Sequence, residues 1–243
     1  MNNVKNQKTI VDFDSSEEKA HLTIENLIEE AESFCNDFEN QGSKELYGIT
    51  DGKAIGTFIE KKFKNYIEKK FEFDLGNAAK GIDLPGENIV TDIKVTRRTQ
   101  PQSSSPFRSV KQKIYGLGYN LLLFVYDKND NSKEEKAYLN FVSISFIDKD
   151  RTADFTLTKM IREQIKHDGN EEDIFALLKD RNLPGDDIVL SEMARNILEE
   201  PPKQGYLTIS NAMQWRLQYK RIVELPKDSV KGIIKIKWMK LLI

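Results

Sequence analysis

Asp83, Asp92 and Lys94 are the residues of this chain whose types and spacing best suit chemistry. They lie in the run Gly81-Ile82-Asp83-Leu84-Pro85-Gly86-Glu87-Asn88-Ile89-Val90-Thr91-Asp92-Ile93-Lys94-Val95. Pro-Gly-Glu-Asn signals a tight turn, and Ile89 to Val95 has the composition of a strand. Side chains alternate along a strand, so Val90, Asp92 and Lys94 share one face. Ile89, Thr91, Ile93 and Val95 share the other, which is largely apolar and suits a core. The hairpin then carries Asp83 towards Asp92. Two carboxylates bind a hard divalent cation through oxygen, and an adjacent lysine orients or activates a water. Asp-x-Lys alone is common, so a surface hairpin whose Lys–Asp pair adds little beyond solubility is the plainer alternative.

The flanking elements follow from hydrophobic periodicity. Leu22, Ile24, Leu27, Ile28, Ala31, Phe34 and Phe38 recur at helical spacing and predict an acidic amphipathic helix. A second helix is expected from about Gly52 to Phe71, with an apolar stripe through Ile55, Phe58, Ile59, Phe63, Tyr66, Ile67 and Phe71. Glu60 and Glu68 lie on it, and either would add a carboxylate if it faced the hairpin. After the hairpin come a polar loop from Thr96 to Phe107 and a short helix within Ser109 to Gly118. Tyr119 to Tyr126 is nearly all apolar, as in a strand buried on both faces. A polar turn at Asp127 to Asn131 leads to a strand from Lys136 to Ile147. The second half reads as helices over Ala153–His167, Glu171–Arg181, Val189–Glu200 and Ile209–Glu224, then a strand within Lys231 to Lys240. The order is that of an α/β or α+β arrangement. Residues 189–224 also read as two adjacent helices in the manner of a helix-turn-helix, a pattern shared by any two neighbouring amphipathic helices.

The chain has 243 residues, 31% charged and 39% hydrophobic, enough for one large domain or a domain with an appendage. No apolar run reaches the roughly 18–20 residues that span a bilayer. The N-terminal residues lack the apolar core of a signal peptide, and the single cysteine, Cys35, excludes an internal disulfide framework, so a cytoplasmic protein is expected. With only His21 and His167 beside Cys35, a zinc site of the Cys/His type is not expected. The net charge is −2, but the charge is segregated. Val11 to Asn40 holds ten acidic residues and one basic; Lys94 to Lys113 holds six basic residues and no acid. Pro201 to Val223 adds four more, again without an acid. Binding to polyphosphate needs a local positive field, not a positive total.

A helix, then Asp83, a hairpin turn and Asp92-Ile93-Lys94 on the next strand resemble the PD-(D/E)XK nuclease superfamily. The block that follows, Arg97 to Phe107 and then Gln112-Lys113-Ile114-Tyr115-Gly116-Leu117-Gly118-Tyr119, is similar to that of type II restriction endonucleases. The similarity covers roughly residues 54 to 147. The family's proline usually precedes the first aspartate; here Ile82 does, and Pro85 follows.

The resemblance implies a restriction-endonuclease-like fold, a mixed central sheet flanked by helices with a mostly helical C-terminal part. The chain is expected to divide into a PD-(D/E)XK-like catalytic core over 1–165 and a mostly helical recognition or dimerisation part over 166–243 that ends in a strand, or else to form one domain. The resemblance further implies Mg²⁺-dependent hydrolysis of phosphodiester bonds in double-stranded DNA, leaving 5′-phosphate ends, within a restriction–modification system. Asp83 and Asp92 would hold one or two Mg²⁺, with the Ile93 backbone carbonyl as a further ligand. Lys94 would assist the water, and Glu60 is the helix glutamate to add. Sequence reading needs bidentate side chains, arginine for guanine and glutamine or asparagine for adenine. Arg97, Arg98, Gln100, Gln102 and Arg108 supply these, with Ser103, Ser104, Ser105 and Lys113 for phosphates and Lys111 as a further DNA contact. Gln112 is a further bidentate candidate. Asn211, Gln214 and Arg216 form a second group, expected at a helix start, while Met213 and Trp215 beside them are expected in the core. Duplex cleavage at a symmetric site is most simply done by a homodimer. No membrane and no organic cofactor is expected. The alternative is a DNA-binding protein using the same basic surfaces without specific cleavage, as a regulator or a repair or processing nuclease.

Overall fold

The computed structural model describes residues 19–73, 81–106, 108–210 and 214–238. A four-stranded sheet forms its centre, in the order β3 (Thr91–Arg97), β5 (Asn120–Asn131), β6 (Lys136–Ile147), β9 (Ile233–Trp238). β3 runs parallel to β5 and the other pairs are antiparallel, so the sheet is mixed and β3 is one of its edges.

The alternation along β5 shows why this strand lies at the centre. Leu122, Phe124 and Tyr126 enter an apolar cluster on one face, and Leu121, Leu123 and Val125 enter another on the opposite face. The first cluster lies under α1 (Ile24–Gln41) and α2 (Gly52–Lys70), through Leu27, Ala31, Phe34, Ile55, Ile59, Phe63 and Ile67. Thr23 caps α1 by accepting from the Asn26 N–H, and Asp51 caps α2 by accepting from the Lys53 and Ala54 N–H groups. β1 (Ala20–His21) pairs with β2 (Phe71–Glu72) and ties the start of this layer to the end of α2.

A second, three-stranded sheet covers the other face in the order β4 (Gln102–Pro106), β8 (Gln214–Gln218), β7 (Thr208–Ile209). Trp215, Leu217 and Ile209 face the central sheet, joined by Tyr219 and by Ile222 of α7 (Lys220–Glu224). A third cluster joins α3 (Lys111–Tyr115), α4 (Phe155–Lys166), α5 (Glu171–Asp180) and α6 (Asp187–Glu199). Between α3 and the turn before α4 the backbones touch: a Cβ on Gly116 would stand 2.5 Å from the Lys149 carbonyl oxygen, so only glycine fits.

Three expectations are corrected. The polar loop from Thr96 to Phe107 contains β4, whose serines, glutamine and proline carry no apolar strand signal. The helix expected over Ile209–Glu224 is instead β7, β8 and the short α7. Within it, Trp215 and Leu217 are buried while Arg216 and Gln218 are exposed, a period of two hidden among helix-compatible residues. Among the described residues α6 is followed by β7 and β8 rather than a second long helix, so no helix-turn-helix forms there. The polar turn expected at Asp127 to Asn131 is the end of β5, which pairs with β6 as far as Asn131↔Lys136. The chain beyond residue 166 also returns to its first part, through β8 on β4 and β9 on β6.

Candidate active site and nucleic-acid interface

Leu84 and Thr91 exchange both backbone hydrogen bonds, at 2.9 Å each, and close the hairpin. Asp83 and Asp92 are therefore the next facing pair, on the same side of the ribbon. The turn between them ends at Val90, whose φ of +29° is a strained value for a β-branched residue. Asn120 holds that turn in place. Its side-chain nitrogen donates to the Ile89 carbonyl at 2.7 Å, its backbone N–H donates to the Val90 carbonyl at 2.8 Å, and its side-chain oxygen accepts from the Lys149 N–H at 2.8 Å.

One carboxylate oxygen of Asp83 accepts the Ile93 N–H at 2.9 Å, and the other accepts from Lys64 Nζ at 3.1 Å. In a strand a residue's N–H and C=O point to the same side, so the Ile93 carbonyl also faces the open edge of β3. Asp92 is buried and paired with Lys94 at 2.6 Å. Glu60 reaches this group from α2 and hydrogen-bonds Asp83, which in turn contacts Asp92. Glu68 is exposed, facing away. Three carboxylates and Lys94 thus converge at the edge of β3.

Their electrostatics follow from crowding in a half-buried place. Burial, with the hydrogen bond and negative charge of Asp83, pushes Glu60 up to about 8. Burial also raises Asp92, to about 6, with Lys94 opposing the shift and Asp83 adding to it. Asp83 is held below the usual carboxylate range. Burial works to raise it, but its hydrogen bonding with Asp92 and Glu60, the N–H donated by Ile93 and the charge of Lys64 prevail. Burial disfavours the Lys94 ammonium too, yet Asp92 and Asp83 carry it above the ordinary lysine value. Near neutral pH the group keeps a proton on Glu60, shared with Asp83, because three adjacent carboxylates cannot all ionise with so little compensating charge.

Among the described residues, no group of three or more His, Cys, Asp or Glu side chains already surrounds a common point as a metal ion would require. Asp83 is paired with Lys64 and Asp92 with Lys94. The donor set nevertheless fits a hard divalent cation: oxygen ligands only, crowded enough to share a proton, with a backbone carbonyl at the same edge.

Beside this group lies a cleft of about 740 Å³, lined by Lys53, Thr57, Glu60, Lys94, Gln100, Gln102, Ser104 and Arg216, among others. The residues expected to contact DNA divide into those that face it and those engaged elsewhere. Gln100, Gln102, Ser104 and Arg216 line it. Arg97 also reaches it but donates to the Thr50 carbonyl, while Arg98 pairs with Asp127 at 3.2 Å. Ser103 reaches the rim, where its hydroxyl bonds Tyr219, and Ser105 is buried against Tyr119. Gln112 donates to the Leu117 carbonyl at 3.1 Å, and Lys113 is buried near Asp154 with its pKa lowered by burial. Arg108 and Lys111 are exposed. Asn211 and Met213 lie outside the described residues, as does the side chain of Gln214; Trp215 is fully buried.

Sequence reasoning missed Lys64, Asn120, Tyr119 and Tyr219. Lys64 was within reach, since it stands one helical turn after Glu60. The two tyrosines are brought under β4 only by tertiary pairing.

Compared with known proteins, residues 21–235 match the family described as "Type II restriction enzyme NspV". The chain belongs to that family. A curated relative, the type II restriction enzyme NspV of Nostoc sp., is 52% identical over 203 residues, which is 84% of this chain and 91% of the relative. No solved structure matches the chain significantly. The mixed central sheet flanked by helices agrees with a restriction-endonuclease-like architecture, as a PD-(D/E)XK-type nuclease requires. Among the described residues no helix is long and apolar enough to cross a membrane.

Proposed function

We propose that this protein is a Mg²⁺-dependent, sequence-specific endonuclease of a restriction system, hydrolysing phosphodiester bonds of double-stranded DNA and leaving 5′-phosphate ends. The observation that carries this reading is the convergence of Glu60, Asp83 and Asp92 with Lys94 at the open edge of β3, in a chain of the type II restriction enzyme family. Asp83, Asp92, the Ile93 carbonyl and Glu60 would hold one or two Mg²⁺. When bound, the cation supplies Lewis-acid stabilisation of the phosphate and lowers the pKa of a coordinated water.

The chain's own residues do the rest. Lys94 donates hydrogen bonds to the attacking water and to the phosphate, countering charge that develops in the transition state. Asp92, 2.6 Å away, fixes where that ammonium stands. Lys64 offsets the charge of Asp83 when the site lacks a cation. Glu60 would have to be deprotonated to serve as a ligand to the cation. Residues 166–243 contribute β8 to the cleft wall and are proposed to serve recognition and dimerisation, two copies presenting two sites to the two strands.

Supercoiled plasmid incubated with Mg²⁺, and in parallel with chelator, tests the reading. Wild type is expected to cut only with the metal. Asp83→Ala, Asp92→Ala and Lys94→Ala are expected to lower the rate by about 10²–10³-fold or more while duplex binding in Ca²⁺ persists. Cutting at the wild-type rate by any of the three would contradict the assignment.

A further inference from the structure

The exposed face of the β4–β8–β7 sheet borders the cleft through Gln102, Ser104 and Arg216, none of which the catalytic group uses. The register places Gln102 opposite Gln218 and Ser104 opposite Arg216, and Thr208 opposite Gln218 on the next strand. Facing residues in an antiparallel pair share a side, so Gln102, Ser104, Arg216, Gln218 and Thr208 form one polar surface. Ser104, Arg216, Gln218 and Thr208 are exposed, and Gln102 half-exposed. Among the described residues Arg216 has no ion-pair partner, although it lines the cleft that holds Glu60 and Lys94.

The opposite face explains why this surface is rigid. Trp215 and Leu217 are fully buried, Ser103 bonds Tyr219, and Ser105 bonds Tyr119. Tyr119 in turn lies within electrostatic reach of Asp92 and Lys94. Thr96, two residues after Lys94 on β3, pins the connection to β4. Its hydroxyl accepts the Gln102 N–H at 3.1 Å and faces the carbonyls of Gln100 and Gln102 at 3.3 and 3.2 Å. The polar face is therefore fixed relative to the catalytic strand through few intermediates.

We infer that this sheet face reads base pairs in the major groove, with Arg216 directed to guanine and the facing pair Gln102 and Gln218 directed together to adenine. The inference rests on the endonuclease reading above and names the residues that would give it specificity. A β-ribbon enters a major groove as readily as a helix does, and these are the side chains whose forked donors and acceptors match guanine and adenine edges. Arg216 and Gln218 are two residues apart on one strand, about 7 Å, which equals about two base-pair steps. The guanine and adenine positions should then lie within about two steps of each other. Ser104, short and exposed opposite Arg216 on β4, leaves room for the backbone to approach.

The test is equilibrium selection of randomised duplexes with Ca²⁺ replacing Mg²⁺, followed by sequencing of the bound fraction. Wild type should enrich one motif. Arg216→Ala and Arg216→Lys should each lose about 5- to 150-fold preference at one G·C position, the lysine variant keeping most of its total affinity. Gln102→Ala and Gln218→Ala should lose preference at one shared A·T position, and the double variant should lose no more than the larger single effect. The two affected positions should fall within about two steps. Variants that keep wild-type melting temperatures and an unchanged preference at every position would overturn the inference, as would losses at distant positions for Gln102 and Gln218. If wild type itself enriches no motif, the sequence-specific reading fails first and this inference with it.

Discussion

Replacing Glu60 by glutamine should stabilise the metal-free protein, and the gain should depend on pH in a defined way. Glu60 is raised to about 8 by burial and by Asp83. In the unfolded chain it titrates near its ordinary value, about 4.3–4.5. Below that value the carboxyl is neutral in both states and contributes nothing. Between the two values the unfolded chain is ionised and the folded one is not, so folding requires proton uptake and stability falls as pH rises. The loss is about 1.4 kcal/mol per pH unit. At pH 7 this integrates to about 3 kcal/mol, reduced to about 2 by solvent at the rim of the cleft. Glutamine keeps the shape and the donated hydrogen bond and cannot ionise. The melting temperature of Glu60→Gln in chelator should therefore match wild type near pH 4.5 and exceed it by about 4–8 °C at pH 7. The difference should stop growing above pH 8. Thermal unfolding of both proteins from pH 4.5 to 8.5 gives the difference, the titrating groups remote from the site being common to both. Parallel curves across that range would refute the crowded-carboxylate account of the site.

Two further outcomes follow from particular contacts. Thr96→Val keeps the shape but leaves the Gln102 N–H without its acceptor, a cost of about 2 kcal/mol that should lower the melting temperature by about 4–8 °C; an unchanged midpoint would remove Thr96 as the pin between β3 and β4. Cys35 is buried and its thiol is pushed well above the ordinary range by burial, with Glu39 adding to the shift. An alkylating reagent near pH 8 should therefore modify it only at the rate of unfolding, and fast modification of native protein, read by mass spectrometry, would contradict its placement.

The sequence made some of this legible for physical reasons. The apolar run from Tyr119 announced a strand buried on both faces, and β5 divides its side chains between two clusters. The turn signal at Pro85-Gly86 predicted the hairpin that sets Asp83 opposite Asp92. Glu60 and Glu68 each stand beside a buried isoleucine, Ile59 and Ile67, so the helical pattern alone does not say which faces the hairpin; in the fold Glu60 does and Glu68 is exposed. The sheet on the other face was not legible. β4 pairs with a strand more than a hundred residues later, and its Gln-Ser-Ser-Ser-Pro composition reads locally as a loop. The type of Arg216 suits DNA contact, but its local sequence reads as helix, because the alternation of buried Trp215 and Leu217 has meaning only once β4 lies beside it. Serine type likewise says nothing of direction. Ser104 faces the cleft while Ser105 turns inward to Tyr119, a difference set by strand register alone.

The most direct test of the central claim is to digest a plasmid with the purified protein and Mg²⁺ and to sequence every fragment end together with its terminal chemistry. Breaks are expected at a small set of identical sequences, each end bearing 5′-phosphate, and none with Asp92→Ala. Ends scattered over unrelated sequences, or discrete cutting that survives Asp92→Ala, would contradict that claim.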